Sequence, residues 1–553
     1  MLSPFLDAAS LRPCLVRVKR DPLSPSGRSP TLPGVRGLAR SLVALACAAP
    51  LVACGGGGGG GGGELDDTLG YLPDDAGLVV VVSTDLESEQ LRRLDRKIVR
   101  PASHGDTLED LLREAAEDAR LSYDEDLKPL LGNPLAVGTQ SAVGPFGEGE
   151  SPGFTAAIET RDGDKLREVV EKVPGLERDG EESGADLYAG PDDIALAIEG
   201  DTLVLAQDRI TLRRALEQHD SSGRLTSGEL DEALADLPED AFVRVRGSVD
   251  TLLALRPEAA RLRSLPWVAA LRTVGIAASF PDDDHLVLEA SLNTDEVSDD
   301  DLPIAPGAEA PEIARREGEI AGANRDQSRT TVFLLRAARA LFPDSRFVRA
   351  VDSVEQDLGI DFEDEILRQF NGPSVSTLTF DGQSFAARSE VRDPDRLREQ
   401  LRVLAPRLPQ LVEGLDGLRS QGLALLLLFA PDAPVTTEAL GQVQVESPTG
   451  ESDLYHVSGL SGDGPSDLYF GVIGDVFVVG SDEERARSIT DAPTEQVEGA
   501  HGAAVTRFDA REGTGELLDR FGIGADFPVG EVVGSLEASS EQVRATLRVE
   551  LPG

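Results

Sequence analysis

Two stretches of similar sequence decide the fold of this chain. Residues 123–134 read YDEDLKPLLGNP, and residues 362–373 read FEDEILRQFNGP. Each places three acidic residues after an aromatic one, continues with apolar residues at helical spacing and ends in a Gly/Asn-Pro turn. A strand-like run follows each stretch, at 135–139 and at 374–380. The body of the chain is therefore predicted to be an internal duplication.

A second pair of matching segments follows in the same order. Residues 154–166 read FTAAIETRDGDKL, and residues 385–397 read FAARSEVRDPDRL. In each segment a strand stops at an aspartate, Asp162 or Asp393, whose carboxylate can accept from exposed amides at the start of the next helix. Pro394 suits the first helical position, where its missing N–H is not needed. These aspartates are therefore predicted to be helix caps rather than catalytic groups.

Each repeat continues with a hairpin that leads into a helix and closes on an antiparallel strand pair. The hairpins turn at Gly200-Asp201 and Gly474-Asp475. The closing pairs are 274–280 with 286–292, and 532–538 with 543–551. The predicted fold class is α+β, with two tandem similar lobes of mostly antiparallel sheet covered by helices, after a signal peptide and a Gly-rich tether.

The predicted boundaries follow these matches and the composition of the connecting stretches. They are residues 1–53 for the signal peptide, 54–70 for a lipidated cysteine and Gly-rich tether, 71–295 for the first repeat, 296–329 for a Pro/Ala/acidic linker and 330–553 for the second repeat.

The amino terminus has the pattern of an export signal. An apolar run, Leu42 to Ala53, follows Arg36 and Arg40, and it is too short to span a bilayer. It ends LVAC, which resembles the lipobox of bacterial lipoproteins, where the cysteine receives diacylglycerol. Cys54 is therefore the predicted lipidation site. Cys47 is a weaker candidate because the apolar run continues past it, and an ordinary cleaved signal is the alternative.

The residues on either side of this signal support the same interpretation. Nine glycines, Gly55 to Gly63, would form a flexible tether spanning on the order of 15–20 Å. The first 34 residues are rich in Pro, Ser and Arg and fit poorly at the start of a signal peptide. A GTG start at Val35 would leave residues 1–34 untranslated and give a signal of conventional length.

Charge and cysteine content exclude several classes of protein. The net charge is −46, and it is −51 beyond residue 54 because the first 54 residues hold seven basic and two acidic side chains. Such a field repels nucleic-acid phosphates, so no nucleic-acid partner is expected. All three cysteines, Cys14, Cys47 and Cys54, lie in the first tenth of the chain. The folded body therefore has no disulfide, cysteine nucleophile or thiolate metal site.

The opening of the first repeat resembles a known family. Residues 71–85 read YLPDDAGLVVVVSTD, and together with residues 123–138 they look like the bacterial domain of unknown function (DUF) family 3352. The resemblance covers most of the chain from about residue 68. It implies an exported, often lipid-anchored protein without an assigned activity, and it transfers no catalytic residue to this chain.

Few residues form a pattern that carries chemistry. The five histidines are scattered without a metal-binding spacing, at His104, His219, His285, His456 and His501. The chain has no phosphate-binding loop, dinucleotide fingerprint or Gly-x-Ser-x-Gly elbow. No cofactor is therefore predicted and no catalytic residue is assigned.

Three local features are candidate sites, each with a structural alternative. Asp220, Ser222 and Glu229 resemble part of a calcium loop, but Gln218 stands where its first acidic ligand belongs, and Thr226 with Glu229 would make a helix capping box. The segment 282–285, DDDH, could chelate a metal, yet a polar turn between paired strands needs such residues anyway. Trp267, in an apolar run, is expected in the core.

The sequence favours a non-enzymatic lipoprotein at the extracytoplasmic face of the cell membrane, acting as a binding or scaffold module. Its expected partners are the membrane, through the lipid anchor, and an unidentified protein or apolar ligand. A carrier of an apolar ligand such as a lipid is the alternative. A hydrolase with a dispersed carboxylate site is the third.

Overall fold

The computed structural model describes residues 62–103, 105–139, 153–254, 259–412, 443–448, 453–460, 466–512 and 529–551. They form an α+β fold in which the main sheet is antiparallel throughout, so the predicted fold class is confirmed. The larger of two compact units contains the described residues of Pro33–Glu309 and Gly499–Gly553. The smaller unit contains those of Ala310–Glu498.

The strands are numbered in chain order. Those of the larger unit are β1 Leu78–Val82, β2 Leu135–Thr139, β3 Phe154–Glu159, β4 Glu177–Glu182, β5 Ala185–Ala189, β6 Ala195–Glu199, β7 Thr202–Ala206, β8 Val243–Ser248, β9 Leu271–Ser279, β10 His285–Thr294, β20 Ala504–Asp509, β21 Glu531–Ala538 and β22 Gln542–Glu550. Those of the smaller unit are β11 Ile313–Ala314, β12 Glu319–Asn324, β13 Ser374–Thr379, β14 Phe385–Glu390, β15 Gln444–Glu446, β16 Tyr455–Ser458, β17 Asp467–Ile473, β18 Val476–Gly480 and β19 Thr494–Glu495.

The helices that matter for the site are numbered in the same way. They are α1 Gly62–Leu69, α2 Glu89–Leu94, α3 Leu108–Asp118, α4 Gly163–Lys172, α5 Arg209–His219, α6 Ser227–Ala233, α7 Val249–Ala254, α8 Pro266–Ala270, α9 Gln327–Leu341, α10 Arg346–Leu358, α11 Pro394–Leu404 and α12 Glu483–Ser488. Short π-helical turns at Tyr123–Leu127 and Phe362–Ile366, each continued by a 3₁₀ turn, form the two acidic stretches.

The two repeats have the same strand order. The first repeat pairs its strands as β4-β5-β6-β7-β3-β2-β1, and the second as β15-β16-β17-β18-β14-β13-β12. The predicted closing pairs are confirmed as β9 with β10 and β21 with β22. The duplication seen in sequence is therefore also a duplication of topology.

Matched polar residues in the two repeats build helix starts and turns. Asp162 accepts from the amide of Lys165 at 2.9 Å, and Asp393 accepts from that of Arg396 at 3.0 Å, so both predicted caps are confirmed. The arginines two positions after Lys165 and Arg396 also match in the two repeats. Arg167 donates to the carbonyl of the turn residue Gly200, and Arg398 donates to that of Gly474. Both glycines have φ near +60°, which glycine adopts without a Cβ penalty.

The closing strands of the two repeats pair with each other. β10 lies antiparallel to β22, from His285 opposite Glu550 to Asn293 opposite Gln542. The start of each closing strand thus faces the end of the other, as in a two-fold pairing of identical strands. The larger unit therefore contains one continuous sheet in the order β4-β5-β6-β7-β3-β2-β1-β8-β9-β10-β22-β21-β20.

Two stretches that were predicted as connections contain regular structure. Helix α1 begins at Gly62, inside the predicted tether, because Leu65 and Leu69 are buried against β1 and β2. Strand β12 lies inside the predicted linker 296–329 and pairs with β13, as β1 does with β2. The apolar run 423–429, predicted to be a buried strand or helix core, lies outside the described residues, as does the whole predicted signal peptide.

Candidate functional site

The segment that resembles a calcium loop forms the start of a helix. Glu229 accepts from the amide and the hydroxyl of Thr226, both at 2.9 Å, and its own amide donates to the Thr226 hydroxyl. This is the predicted capping box at the start of α6. Asp220 is the residue that ends α5, and Ser222 lies in the following turn. The carboxylate that would have been the bidentate calcium ligand is thus held by the helix.

The acidic hairpin turn at 282–285 is held by hydrogen bonds and an ion pair. Asp282 accepts from Nδ1 of His285 at 2.8 Å, and Nε2 of His285 lies 2.8 Å from the guanidinium of Arg548. Because Arg548 can only donate, Nε2 must accept and the ring proton stays on Nδ1. Asp283 lies 2.9 Å from Arg93 of α2. The predicted hairpin is confirmed, and in the described part of the chain no three or more His, Cys, Asp or Glu side chains are grouped to hold a metal ion.

The remaining residues singled out in the sequence either take part in packing or lie outside the described residues. Trp267, on α8, is 1% exposed and therefore a core residue, as predicted. Cys54 and His104 lie outside the described residues. His219 stacks on the buried Tyr71 with ring centroids 4.3 Å apart, and the Tyr71 hydroxyl donates to Glu199 at 2.7 Å. These aromatic contacts join α5 to the start of the first repeat.

A polar cleft of about 530 Å³ lies in the smaller unit beside α9 and α10. Its lining residues are Arg339, Glu355, Gly359, Ile360, Asp361, Glu363 and Asp364. Arg339 binds Glu355 at 2.8 Å, and Arg336 makes two hydrogen bonds to the carboxylate of Glu363. Asp361 caps the following π turn by accepting from the amide of Asp364 at 2.9 Å. The carboxylates and guanidinium groups at this cleft are thus engaged with one another.

Electrostatics in this cleft do not favour acid–base chemistry. Burial alone would raise the pKa of Glu363, but hydrogen bonds from Arg336 and Arg368 outweigh it and hold that pKa below its usual range. A general acid at neutral pH needs the opposite shift. Among the described carboxyls with a resolved shift, burial raises the pKa of Glu289, which lies on β10 outside this cleft.

A cluster of one histidine, two carboxylates and a tyrosine crosses three strands of the smaller unit. His456 on β16 lies 2.8 Å from Asp467 on β17 and 3.4 Å from Glu446 on β15, and its ring stacks on Tyr469 at 4.5 Å. Burial opposes protonation, but the hydrogen bonds that the ring donates to the two carboxylates raise the pKa of His456. Both ring nitrogens are occupied by these carboxylates. The cluster therefore holds three strands together across the sheet.

One face of the sheet in the larger unit carries an unusual surface, which we call the apolar strip. It takes two positions from each of seven adjacent strands, in the order β21, β22, β10, β9, β8, β1 and β2. Its residues are Gly534, Leu536, Ala545, Leu547, Leu288, Ala290, Ile276, Ala278, Val243, Val245, Val80, Val82, Leu135 and Val137. The register brings these residues to one face because side chains alternate along every strand.

The most exposed part of the apolar strip lies toward its β21 end, on β10 and β22. Leu288 and Leu547 lie directly opposite each other on β10 and β22, and each is 38% exposed. Only two other large aliphatic side chains in the described part of the chain are as exposed, Ile210 and Val403. Leu288 and Leu547 thus form an exposed apolar pair that continues an apolar surface, and contiguous exposed apolar surface is found at binding sites.

Helices pack on the apolar strip at two of its strands, β8 and β9. Leu91 and Leu94 of α2 pack in one cluster with Ala278 and Val243. Leu252 of α7 lies over Gly247, which occupies the same face of β8. The strip is therefore covered by helices near β8 and β9 and open at β10 and β22.

Sequence reasoning missed the apolar strip, although its signal is present. Residues 286–292 read LVLEASL and residues 543–549 read VRATLRV, so apolar residues recur at every second position. The two segments lie in different repeats, and nothing local shows that their strands pair. Only the register of β10 with β22 joins their apolar faces.

The chain thus folds into a duplicated α+β body, and one face of its sheet carries the apolar strip. Residues 39–295 match the family model described as "Protein of unknown function (DUF3352)". The predicted resemblance to the DUF3352 family is therefore confirmed over the first repeat, whereas the sequence suggested that it covers most of the chain. No curated protein matches the chain.

Solved structures give only distant likenesses. Crystal form IV of TP0453 aligns with a TM-score of 0.26 and 9% identity, covering 41% of this chain and 81% of that one. Crystal form III gives a TM-score of 0.25 at 10% identity, with 42% and 81% covered. Crystal form I gives 0.25 at 9%, with 42% and 80% covered. At these TM-scores the likeness carries no argument about function.

Proposed function

We propose that this chain is a lipid-anchored extracytoplasmic lipoprotein whose folded body is a non-catalytic binding or scaffold module. The observation that carries the binding function is the apolar strip, whose most exposed residues are Leu288 and Leu547. Exposed contiguous apolar surface is costly in water, so its presence in a soluble fold favours a role in binding.

The polar cleft in the smaller unit supports a non-catalytic role. At the cleft beside α9 and α10, Arg339 is bound to Glu355, and Glu363 is held by Arg336 and Arg368. A reacting group needs an available lone pair or proton and a pKa suited to its task. Charges that neutralise one another in ion pairs and caps serve the fold instead.

Anchoring through a lipid is consistent with the charge of the body. A net charge of −51 beyond residue 54 is repelled by anionic headgroups, so electrostatic attraction would not hold the protein at a membrane. In the part of the chain that the structure describes, no helix is long and apolar enough to cross a bilayer. The proposed acyl chains on Cys54 would supply stable attachment.

The anchoring is tested by Cys54→Ser in the full chain, expressed in a bacterial host fed an alkyne analogue of palmitate. We expect the variant to lose the alkyne label and to leave the membrane fraction. Cys47→Ser is the matched control, because Cys47 lies in the same apolar run and should not be acylated. Label and membrane association that persist in Cys54→Ser would refute the proposal.

A further inference from the structure

We propose that the apolar strip binds the acyl chain of a lipid with a neutral or zwitterionic headgroup. This inference rests on the binding function proposed above and names its ligand.

The side chains of the strip favour a ligand that has no hydrogen-bonding groups. All fourteen strip residues, two from each of seven strands, are Leu, Val, Ile, Ala or Gly. None of these side chains can donate or accept a hydrogen bond. The strands beneath are each paired on both sides, so a peptide could not add to the sheet as a further strand here. An alkyl chain forms no hydrogen bonds in water, so it loses none when it binds to the strip.

The dimensions also suit an acyl chain. The open part of the strip, on β21, β22 and β10, extends for about 10 Å across the strands at about 4.8 Å spacing, and the two rows of side chains lie about 7 Å apart along each strand. One acyl chain spans half of a hydrocarbon layer of about 30 Å, or about 15 Å. The open part of the strip therefore accommodates about two-thirds of an acyl chain laid across the strands.

The exposed area does not suit a second copy of the protein. Leu288 and Leu547 are the most exposed strip residues at 38%, whereas Val82, Ala278 and Ala290 are each below 9%. A stable protein interface buries about 800 Å² on each partner, which a row of half-buried aliphatic side chains does not offer. A thin chain lying between flanking side chains can contact them without needing a broad flat surface.

Charge selects among lipids. The chain has a net charge of −46, and no basic residue lies within the strip to pair with an anionic headgroup. An anionic lipid would be repelled as it approached, and the repulsion would weaken at high salt. A lipid whose headgroup has no net charge avoids this cost.

The test uses the full chain with Cys54→Ser, so that no acyl chain of the protein itself can compete. The probe is a phosphatidylcholine with a diazirine on one acyl chain, presented in vesicles, crosslinked by light and mapped by mass spectrometry. We expect crosslinks in peptides that contain β10, β21 and β22. Leu288→Asp and Leu547→Asp should each lower labelling at least fivefold, since both place a charge in the strip.

Ile210→Asp is the matched control, because Ile210 is 65% exposed on α5 and the change is chemically the same. It should label like the parent. A circular-dichroism melt checks that the variants fold. If Leu288→Asp does not fold, Leu288→Ala should weaken labelling, and unlabelled phosphatidylcholine should compete with the probe for the parent protein.

Three results would overturn this inference. The first is equal labelling of Leu288→Asp, Ile210→Asp and the parent. The second is stronger labelling by the phosphatidylglycerol form of the probe, which would contradict the charge argument. The third is a dimer, seen by light scattering, that Leu288→Asp abolishes while the parent takes no label. None of these bears on acylation of Cys54, so failure of the inference and failure of the anchoring proposal are distinguishable.

Discussion

Asp126 offers a sharp test of how the first repeat is held together internally. Its carboxylate is only 7% exposed and lies 2.8 Å from Nζ of Lys172 and 3.3 Å from Nζ of Lys165. It also accepts from the amide of Ser122 at 2.9 Å. The hydrogen bond from Lys172, followed by that from Ser122, lowers the pKa of Asp126 from 3.8 to about 2. We expect Asp126→Asn to destabilise the larger unit at pH 7.

The magnitude follows from this pKa. One pKa unit corresponds to about 1.4 kcal/mol, so the fall in the pKa of Asp126 corresponds to about 2.5 kcal/mol of stability. Lys172 is 42% exposed, and solvent screens its charge, so we expect a loss of about 1–2 kcal/mol. The measurement is the urea concentration at the unfolding midpoint, with the slope of the transition compared between variants.

The pH dependence provides a second reading of the same interaction. A folded-state pKa below the unfolded value means that the stabilisation is complete above about pH 4 and is lost as the pH falls toward 2. The gap between wild type and Asp126→Asn should therefore close over that range. A midpoint unchanged at pH 7, or a gap that stays constant down to pH 2, would refute the reasoning.

The second repeat supplies the matched control. Glu365 occupies the position of Asp126 in the second acidic stretch, and Arg396 occupies that of Lys165. Their side chains are 2.7 Å apart, but Glu365 is 31% exposed and Arg396 is 51% exposed. Glu365→Gln should therefore cost less than about 1 kcal/mol, because an exposed ion pair contributes little.

Two further predictions concern packing and protonation. Gly275→Ala should destabilise the larger unit by about 1–3 kcal/mol in urea unfolding, because its Cβ would lie 2.5 Å from the carbonyl oxygen of Ala233. Gly228→Ala should not destabilise, because its Cβ would meet only the Thr226 hydroxyl, at an ordinary contact distance of 3.9 Å. Asp467→Asn should lower the imidazole pKa of His456 toward its ordinary value in an NMR titration. The stabilising bond with Asp467 is present below pH 6.5 and is lost as the pH rises through the raised pKa. An unchanged His456 titration would show that Asp467 does not hold the ring.

Much of the local structure could be predicted because it depends on residues close together in the chain. Asp162 and Asp393 cap helices through amides three residues away, and the hairpin glycines Gly200 and Gly474 have the positive φ that their turns require. The capping box of Thr226 and Glu229 was the structural alternative to a calcium loop, and it is what the chain forms. Such short-range features are readable because few other residues compete for the same groups.

Connections were harder to predict from composition. The stretch 296–329 is rich in Pro, Ala and acidic residues, yet β12 forms within it because its partner β13, some 50 residues later, completes its hydrogen bonds. Likewise α1 takes the last glycines of the predicted tether because Leu65 and Leu69 find a buried surface. Tertiary contacts overrode local propensity in both places.

The sequence by itself determined the duplication, the α+β class, the caps and turns, and the closing hairpin of each repeat. Only the tertiary structure decided that the two closing strands pair with each other, joining residues more than 250 positions apart. That register places Leu288 beside Leu547 and merges two apolar faces into one surface. Period-two alternation specifies which side chains share a face of a strand, but strand pairing alone specifies which strands share a sheet.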